Sequence, residues 1–219
     1  MGYESIVKGN DIFRATSEIN KNILSHKDEI EKLDQEIGDG DHIFNIIRGL
    51  EEILKLESSL ANENISVLLK QIGIKIMTTV GGSSGALFAT LLLNMSKNYD
   101  ADKSDIVNLS NMFSKGVESM KARGKATVGE KTMLDVLIPV SEKFIELVNS
   151  NVQTKDIVVK LSTLAHKKMM NTKDMIATKG RASYLGKRAK GHIDPGARSS
   201  QIMIKSICDY VINKRENNL

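Results

Sequence analysis

Residues 33–54, LDQEIGDGDHIFNIIRGLEEIL, place a turn rich in aspartate and glycine directly before a strongly apolar run. From Ile43 onward, isoleucine, leucine and phenylalanine recur at helical spacing, which predicts a helix. The acidic turn therefore precedes a helix N-terminus, where carboxylates interact favourably with the helix dipole. A phosphate bound at the same helix end would be repelled by these carboxylates unless a cation lay between them.

The turn contains four acids within eight residues, with no lysine or arginine among them: Asp34, Glu36, Asp39 and Asp41. Such uncompensated charge favours cations, and Gly38 and Gly40 free the backbone to direct the three aspartates to one point. Hard oxygen ligands in this arrangement suit Mg²⁺ that substrate phosphates also hold. The Ca²⁺ helix-loop-helix pattern does not fit, because Ile43 occupies the position of its third carboxylate. A solvated turn without metal is the alternative interpretation.

The composition favours a helix-rich protein with one core. The 219 residues include two prolines, no tryptophan and 4% aromatic residues, together with ten methionines. A chain of this length can bury a full core in one domain, so a single domain over residues 1–219 is predicted. The one cysteine, Cys208, lies in an apolar helical pattern, which predicts a buried thiol and excludes an internal disulfide.

The N-terminal sequence and the charge pattern indicate the compartment of the protein and the kind of ligand it binds. No charged-then-apolar leader opens the chain and no apolar run approaches the roughly 18 residues of a membrane span, so we expect a cytoplasmic protein with no membrane partner. The net charge of +4 is concentrated in residues 179–198, which hold six basic residues and one acid. Because Tyr184 is the single aromatic residue there, a small phosphate ligand is favoured and no nucleic-acid partner is expected.

Apolar spacing along the rest of the chain predicts an all-α bundle of about eight amphipathic helices. The first helix starts near Asp11 with Asn10 as its cap. The others are predicted at residues 43–54, 65–79, 86–98, 104–121, 131–149, 154–175 and 199–213, with a further short one at residues 28–33. Alternation from Ile72 to Ile76 could also indicate a strand, but nothing else in the chain alternates to pair with it. Pro139 predicts a kink or a helix boundary.

A second motif, GGSSG at residues 81–85, leads directly into the apolar run ALFATLLL. Free N–H groups at the helix start and the missing side chains would let a phosphate approach the backbone. The P-loop pattern is absent because no lysine follows the last glycine, and the glycine spacing does not fit the dinucleotide fingerprint. A tight corner between two helices is the alternative interpretation.

A third motif, GRASYLGKRAKGHIDPGARSS at residues 180–200, predicts a long basic loop punctuated by glycines. Its side chains that could close over a polyphosphate are Arg181, Lys187, Arg188, Lys190 and Arg198. A solvated surface loop is the alternative. Of the four histidines only His42, beside the acids, is a candidate functional residue, and no spacing indicates a zinc site or a Ser-His-Asp or Cys-His arrangement.

Four motifs in this order resemble the nucleotide-binding L subunit of dihydroxyacetone kinase, the DhaL or DAK2-domain family: LDQEIGDGDHIFN, GGSSGALFATLLL, GEKTMLDVLIP and KGRASYLGKRAKGHIDPGA. They span residues 33–197. The resemblance implies an antiparallel barrel of eight amphipathic helices, with ADP or ATP at one end and two Mg²⁺ ions between the acids and the phosphates. It also implies phosphoryl transfer by positioning and charge neutralisation, without a catalytic nucleophile on this chain.

By position, the resemblance assigns roles to residues of all four motifs. The metal ligands it implies are Asp34, Asp39 and Asp41. The residues it implies near the nucleotide phosphates are His42, Asn45, Ser83 and Ser84. The residues it implies around the base are Gly124, Thr132 and Met133, and those in a lid are Arg181, Asp194, Pro195, Gly196 and Ala197. Ile43 stands where the family commonly has glycine, and Ala86 and Arg198 also differ, which leaves the nucleotide geometry and the substrate open.

The family resemblance also implies partners. The ketone substrate is held there by a separate K-type subunit or domain, so this chain is expected to need such a partner. A stand-alone L chain resembles the phosphotransferase-dependent form, in which bound ADP is recharged by an M-type phosphocarrier, with free ATP as the less favoured donor. The alternatives are a non-catalytic regulatory subunit with a degenerate nucleotide site and the nucleotide-binding part of a fatty-acid kinase, which carries threonine in place of His42.

Overall fold

The computed structural model describes residues 7–216, apart from the side chain of Arg215, so the predicted domain range of 1–219 extends beyond the described residues at both ends. Residues 7–216 form ten α-helices and no strand, which confirms the all-α prediction. The helices are α1 Gly9–Ser25, α2 Lys27–Ile37, α3 His42–Leu54, α4 Glu57–Leu60, α5 Ile65–Thr79, α6 Gly82–Lys97, α7 Asp105–Gly124, α8 Leu134–Asn149, α9 Thr154–Asn171 and α10 Pro195–Glu216. Two 3₁₀ segments, Thr172–Asp174 and Arg181–Ala189, lie between α9 and α10.

Eight of these helices close into a ring. The order of packing is α1, α3, α5, α6, α7, α8, α9 and α10, and α10 returns to pack against α1. Helix α2 lies outside the ring against α3 and α10, and the short α4 lies against α1. The helical barrel that the motifs implied is therefore confirmed. In the described part of the chain, none of the helices combines the length and apolarity that crossing a bilayer requires.

The apolar faces that predicted the helices line the inside of the ring. The larger cluster is built mainly from α7, α8, α9 and α10 and includes Leu134, Phe144 and Ile157. A second cluster joins α1, α2, α3 and α10, and Ile43 is fully buried in it. Burying each such side chain contributes about 1.5–3 kcal/mol, so these faces decide the fold. Cys208 is also buried, as its pattern predicts.

Several predicted boundaries differ from the observed ones for local reasons. Residues 72–76 are helical within α5, so the strand alternative is wrong, and Pro139 lies inside α8, so it marks no helix boundary. Helix α10 begins at Pro195 instead of residue 199, because Asp194 Oδ2 accepts the Ala197 N–H at 2.7 Å and proline fits a first helical position. Residues 180–200 are consequently no continuous loop.

Candidate metal and nucleotide site

The turn between α2 and α3 brings three carboxylates together. Asp34, Asp39 and Asp41 each place a carboxylate oxygen within 4.8 Å of the other two. Asp34 lies in the last turn of α2 and is buried, whereas Asp39 and Asp41 are exposed in the connecting turn. Within residues 7–216, no second group of three acids, cysteines or histidines is close enough to hold a metal ion.

Two glycines shape this turn for different reasons. A Cβ on Gly38 would lie 2.0 Å from Asp34 Oδ1, so a side chain there would displace that carboxylate. Gly40 has a φ of +76°, in the left-handed region that favours glycine. The backbone N–H of His42 then donates to Asp34 Oδ2 at 3.0 Å. These contacts fix the buried carboxylate at the N-terminal end of α3.

The electrostatics of the three aspartates favour a cation. Burial raises the pKa of Asp34, and the charges of Asp39 and Asp41 raise it further, against the hydrogen bond from His42 N. A divalent cation among these oxygens would offset both the desolvation and the mutual repulsion. Three carboxylates are hard oxygen donors of the kind that Mg²⁺ prefers. The residues present therefore fit the metal that the family resemblance implies.

The glycine turn lies next to the acidic turn. Gly82, the first residue of α6, has a φ of +73°, and a Cβ there would lie 2.9 Å from Asn45 Nδ2 and 3.7 Å from Asp41 Oδ2. Only glycine permits both this backbone conformation and this close approach. Ser83 is exposed and Ser84 is buried in the first turn of α6. Free N–H groups at a helix start, which favour anions, are thus brought beside the aspartates.

His42 links the acidic turn to α10 as a neutral group. Its Nε2 lies 2.8 Å from Ser199 Oγ, and the side chain is buried. Burial lowers the pKa of His42 to about 4, so the imidazole is uncharged near neutral pH. It therefore offers hydrogen bonds, not positive charge. The next side chain, Ile43, packs in the apolar core.

The basic segment, residues 172–194, reaches over the acidic turn. Arg181 Nε lies 3.0 Å from Asp39 Oδ2, and His192 Nδ1 lies 2.7 Å from Glu36 Oε2. Glu36 is therefore paired with a histidine and is separate from the three converging aspartates. The remaining basic side chains of the segment that were predicted to close over phosphate are exposed: Lys187, Arg188 and Lys190.

Arg198 lies in a helix, although the sequence predicted it in the basic loop. It belongs to α10, and its Nε and Nη2 donate to the two carboxylate oxygens of Glu29 at 2.8 and 2.9 Å. The guanidinium lowers the pKa of Glu29 through these hydrogen bonds. The pair joins the first turn of α2 to the first turn of α10. Arg198 is thus paired within the helical scaffold, and its contact with polyphosphate stays a prediction.

The residues assigned to the base pocket lie at helix ends. Gly124 ends α7, where a Cβ would lie 3.4 Å from Leu87 Cδ2. Thr132 and Met133 directly precede α8, and Thr132 Oγ1 accepts the Leu134 N–H at 3.2 Å. A Cβ on Gly196 would lie 3.3 Å from Met133 Cβ. Met133 is thus brought against the start of α10, whereas Gly124 packs on α6.

Three residues in these contacts were missed by sequence reasoning. Lys131 is 1% exposed and donates from Nζ to the carbonyl oxygens of Thr172, at 2.5 Å, and His192. Thr172 also accepts the backbone N–H of Asp194 on Oγ1, and Ser199 meets His42. Lysine is almost never fully buried, so nothing in its type predicts this environment. The signal that could have drawn attention to Lys131 is its place inside GEKTMLDVLIP.

Known proteins are similar in sequence to most of this chain. The sequence profile of the DAK2 domain matches residues 36–209. A PEP-dependent dihydroxyacetone kinase 1, ADP-binding subunit DhaL, of Listeria innocua is 38% identical over 194 residues, which are 89% of this chain and 92% of that relative. The PEP-dependent dihydroxyacetone kinase, ADP-binding subunit DhaL, of Escherichia coli K12 is 38% identical over 176 residues, covering 80% of this chain and 84% of that protein.

A solved structure shares the architecture. The crystal structure of the dihydroxyacetone kinase from C. freundii in complex with AMP-PNP and Mg²⁺ matches with a TM-score of 0.69 and 21% sequence identity. The match covers 90% of this chain and 33% of that longer chain. At this identity it shows the fold alone.

Fold and site together define a closed ring of helices with an aspartate cluster and a glycine turn at neighbouring helix starts. The profile match and the relatives add the family. This chain belongs to the DAK2-domain family of DhaL type.

Proposed function

We propose that this chain is the nucleotide-binding subunit of a kinase for dihydroxyacetone or a related short keto-sugar. ADP or ATP would bind with Mg²⁺ at the acidic turn, and a separate K-type subunit would hold the sugar. The observation that carries the proposal is the convergence of Asp34, Asp39 and Asp41 beside the start of α6. The relatives from Listeria innocua and Escherichia coli, each named an ADP-binding subunit, support the same assignment.

Each part of the site has a role in this proposal. Asp34, Asp39 and Asp41 would hold two Mg²⁺ ions, which when bound would share phosphate oxygens and neutralise their charge. The N–H groups at the start of α6, beside Ser83 and Ser84, would donate hydrogen bonds to the phosphate tail. Arg181 already faces Asp39 and would offer its other guanidinium nitrogens to the phosphates.

The remaining site residues would orient the nucleotide. The side chains and backbone proposed for the base end are Gly124, Thr132, Met133 and the start of α10 from Asp194 to Ala197. Asn45 and the neutral His42 would hydrogen-bond near the phosphates. The chain supplies positioning and charge compensation, and no nucleophile of its own is needed.

The origin of the phosphoryl group is part of the proposal. Two relatives are named PEP-dependent and a third, from Lactococcus lactis, is named PTS-dependent, which favours recharging of bound ADP by an M-type phosphocarrier. In either case the bond from phosphorus to the donor oxygen or nitrogen breaks as the bond to the acceptor oxygen forms. For the sugar, the acceptor is a hydroxyl oxygen, whose proton leaves in the transfer.

Thermal melting with Mg²⁺ and ADP tests the nucleotide site. At about one hundred times the dissociation constant, ligand should raise the melting temperature of the wild type by about 5–10 °C. Asp39→Asn should abolish this shift because it removes a metal ligand that is exposed and has little structural role. Glu36→Gln, which removes a charge from the same turn outside the aspartate group, should keep most of it. If ADP and Mg²⁺ did not change the melting temperature of the wild type, the chain would be a non-catalytic regulatory subunit with a degenerate nucleotide site.

Reconstitution tests the partner and the donor. Mixing this chain with a K-type subunit should give sugar phosphorylation, and the chain alone should give none. ATP and a phosphorylated M-type carrier are supplied in parallel, with trioses and tetroses as acceptors. Turnover without the K-type subunit would contradict the division of labour proposed here.

A further inference from the structure

Lys131 is the one charged side chain in the described residues that is almost fully enclosed while meeting two separate backbone segments. It is 1% exposed, and its backbone has a φ of +61°. Its Nζ donates to Thr172 O, just after α9, and to His192 O, just before α10. An ammonium carries three donors on one atom, so it can hold two carbonyl oxygens at once.

These two carbonyls lie at opposite ends of the basic segment, residues 172–194. The same two ends are joined by the Gly191 N–H, which donates to Lys173 O at 2.7 Å, and by the Asp194 N–H, which donates to Thr172 Oγ1 at 3.1 Å. The chain thus leaves α9 and returns to α10 at one place, where Thr172 and Lys173 contact residues 191–194. We call this contact the neck. Lys131 fills that neck from the side of α8.

The neck connects the two halves of the proposed nucleotide site. The middle of the segment carries Arg181, which meets Asp39 of the acidic turn. The return of the segment leads into Gly196, which packs against Met133. Met133 is only two residues beyond Lys131 along the chain. One side chain therefore ties the end proposed for the base to the arginine proposed for the phosphates.

Charge also explains why a lysine occupies this position. Burial lowers the pKa of Lys131, while Asp194, Asp135 and Asp174 act in the opposite direction. An apolar side chain of the same length would avoid this cost of burial. It would remove the lysine donor from His192 O and leave Thr172 O with the Met175 N–H alone. The two carbonyl acceptors at the neck therefore account for a charged side chain at this buried position.

We propose that Lys131 is a positioning residue that closes the neck of residues 172–194 and thereby sets how tightly the site retains a nucleoside diphosphate. The second half of this inference, the retention of the nucleotide, rests on the proposed function. The closing of the neck stands on geometry alone. The two halves can therefore be measured separately.

Hydrogen exchange and ADP titration of Lys131→Met carry the test. Methionine has nearly the same length, so the core should stay filled while both Nζ hydrogen bonds are lost. Exchange of the Gly191 and Asp194 amides in ligand-free protein should become about tenfold faster, and ADP with Mg²⁺ should bind about tenfold more weakly. Lys167→Met, which removes the same charge from an exposed position of α9 outside the neck, should change neither. If Lys131→Met does not fold, Thr172→Val removes another bond of the neck and should give the same pattern.

The outcomes separate the inference from the proposed function. Unchanged exchange at Gly191 and Asp194 in a folded Lys131→Met protein would overturn the closing of the neck, whatever the ADP result. Faster exchange with unchanged ADP affinity would overturn the link between neck and retention. A wild type that binds no ADP would overturn the proposed function, while the exchange data would still decide whether Lys131 closes the neck.

Discussion

The acidic turn and the basic segment face each other, but they are held in very different ways. The acidic turn is short, because only residues 38–41 connect α2 to α3. Asp34, in the last turn of α2, is fixed by the His42 backbone and by the space that Gly38 leaves. The basic segment is more than twenty residues long. Ala182 and Ala189 pack against Ile37 of α2, Thr178 hydrogen-bonds to Glu130, and the segment is also joined at its two ends. Between them, Arg181 and Tyr184 are exposed, and Tyr184 is 86% exposed.

This difference separates two tasks within one site. A rigid carboxylate group keeps its negative charges together before any cation binds, so less ordering is needed at the moment of binding. The exposed side chains in the middle of the basic segment, such as Arg181 and Tyr184, can adjust around a ligand while the neck keeps the ends of the segment in register with α8 and α10. Loss of an aspartate should therefore weaken binding most, whereas changes in the basic segment should act mainly by speeding release of the nucleotide.

Asp34→Asn should have the largest effect and should act oppositely with and without ligand. Asparagine keeps an acceptor for the His42 N–H but removes a charge that burial and two neighbouring aspartates disfavour. The ligand-free protein should therefore gain stability in urea unfolding. At the same time the stabilisation by ADP and Mg²⁺, about 2.7 kcal/mol at one hundred times the dissociation constant, should disappear. A loss of ligand-free stability would show that the buried charge is structural.

Asp194→Asn should change how stability depends on pH. Burial raises the pKa of Asp194 to about 7, so between pH 4 and 7 the folded state keeps a proton that the unfolded state has released. The free energy of unfolding of the wild type should fall through this window as the pH rises. Asparagine retains the cap to Ala197 without titrating, so its advantage over the wild type should grow by about 2 kcal/mol from pH 5 to pH 7.

The control for this measurement is the difference in unfolding free energy between the wild type and Asp194→Asn at each pH. His42, with its pKa lowered to about 4, makes the wild type less stable as the pH falls below about 6.5, which is the opposite sign. Because both proteins contain His42, its contribution cancels when their unfolding curves are subtracted at each pH. A difference that stays constant with pH would mean that Asp194 titrates normally.

The sequence predicted those features that depend on local pattern. Helix α5 has the predicted bounds because its cap, Asn64, and its apolar spacing both act within a few residues. The acidic turn was also predictable, since glycine spacing and the density of acids are local properties. A cation site at its three aspartates was predicted from the residues themselves, the family resemblance added their individual roles, and these roles remain proposals.

Features that depend on contacts between residues far apart along the chain could not be predicted from the sequence. The burial of Lys131 follows from carbonyl groups 41 and 61 residues further along the chain. Arg198 looks like part of a basic phosphate-binding loop, yet it pairs with Glu29, which is 169 residues away. A helix start at Pro195 was foreseeable from Asp194 and the proline. It was not predicted because residues 180–200 were interpreted as one continuous loop.

Arg181→Ala should have the smallest effect, and it addresses the basic segment directly. The arginine side chain is 71% exposed and its pair with Asp39 lies near solvent, so ligand-free stability should change by less than about 0.5 kcal/mol. ADP should nevertheless dissociate several-fold faster, because the guanidinium no longer meets the phosphates. Lys187→Ala, an exposed change in the same segment, should leave the dissociation rate unaltered. Stopped-flow release of a fluorescent ADP analogue measures both variants, and equal rates for Arg181→Ala and the wild type would mean that the segment retains nucleotide through its backbone and not through this arginine.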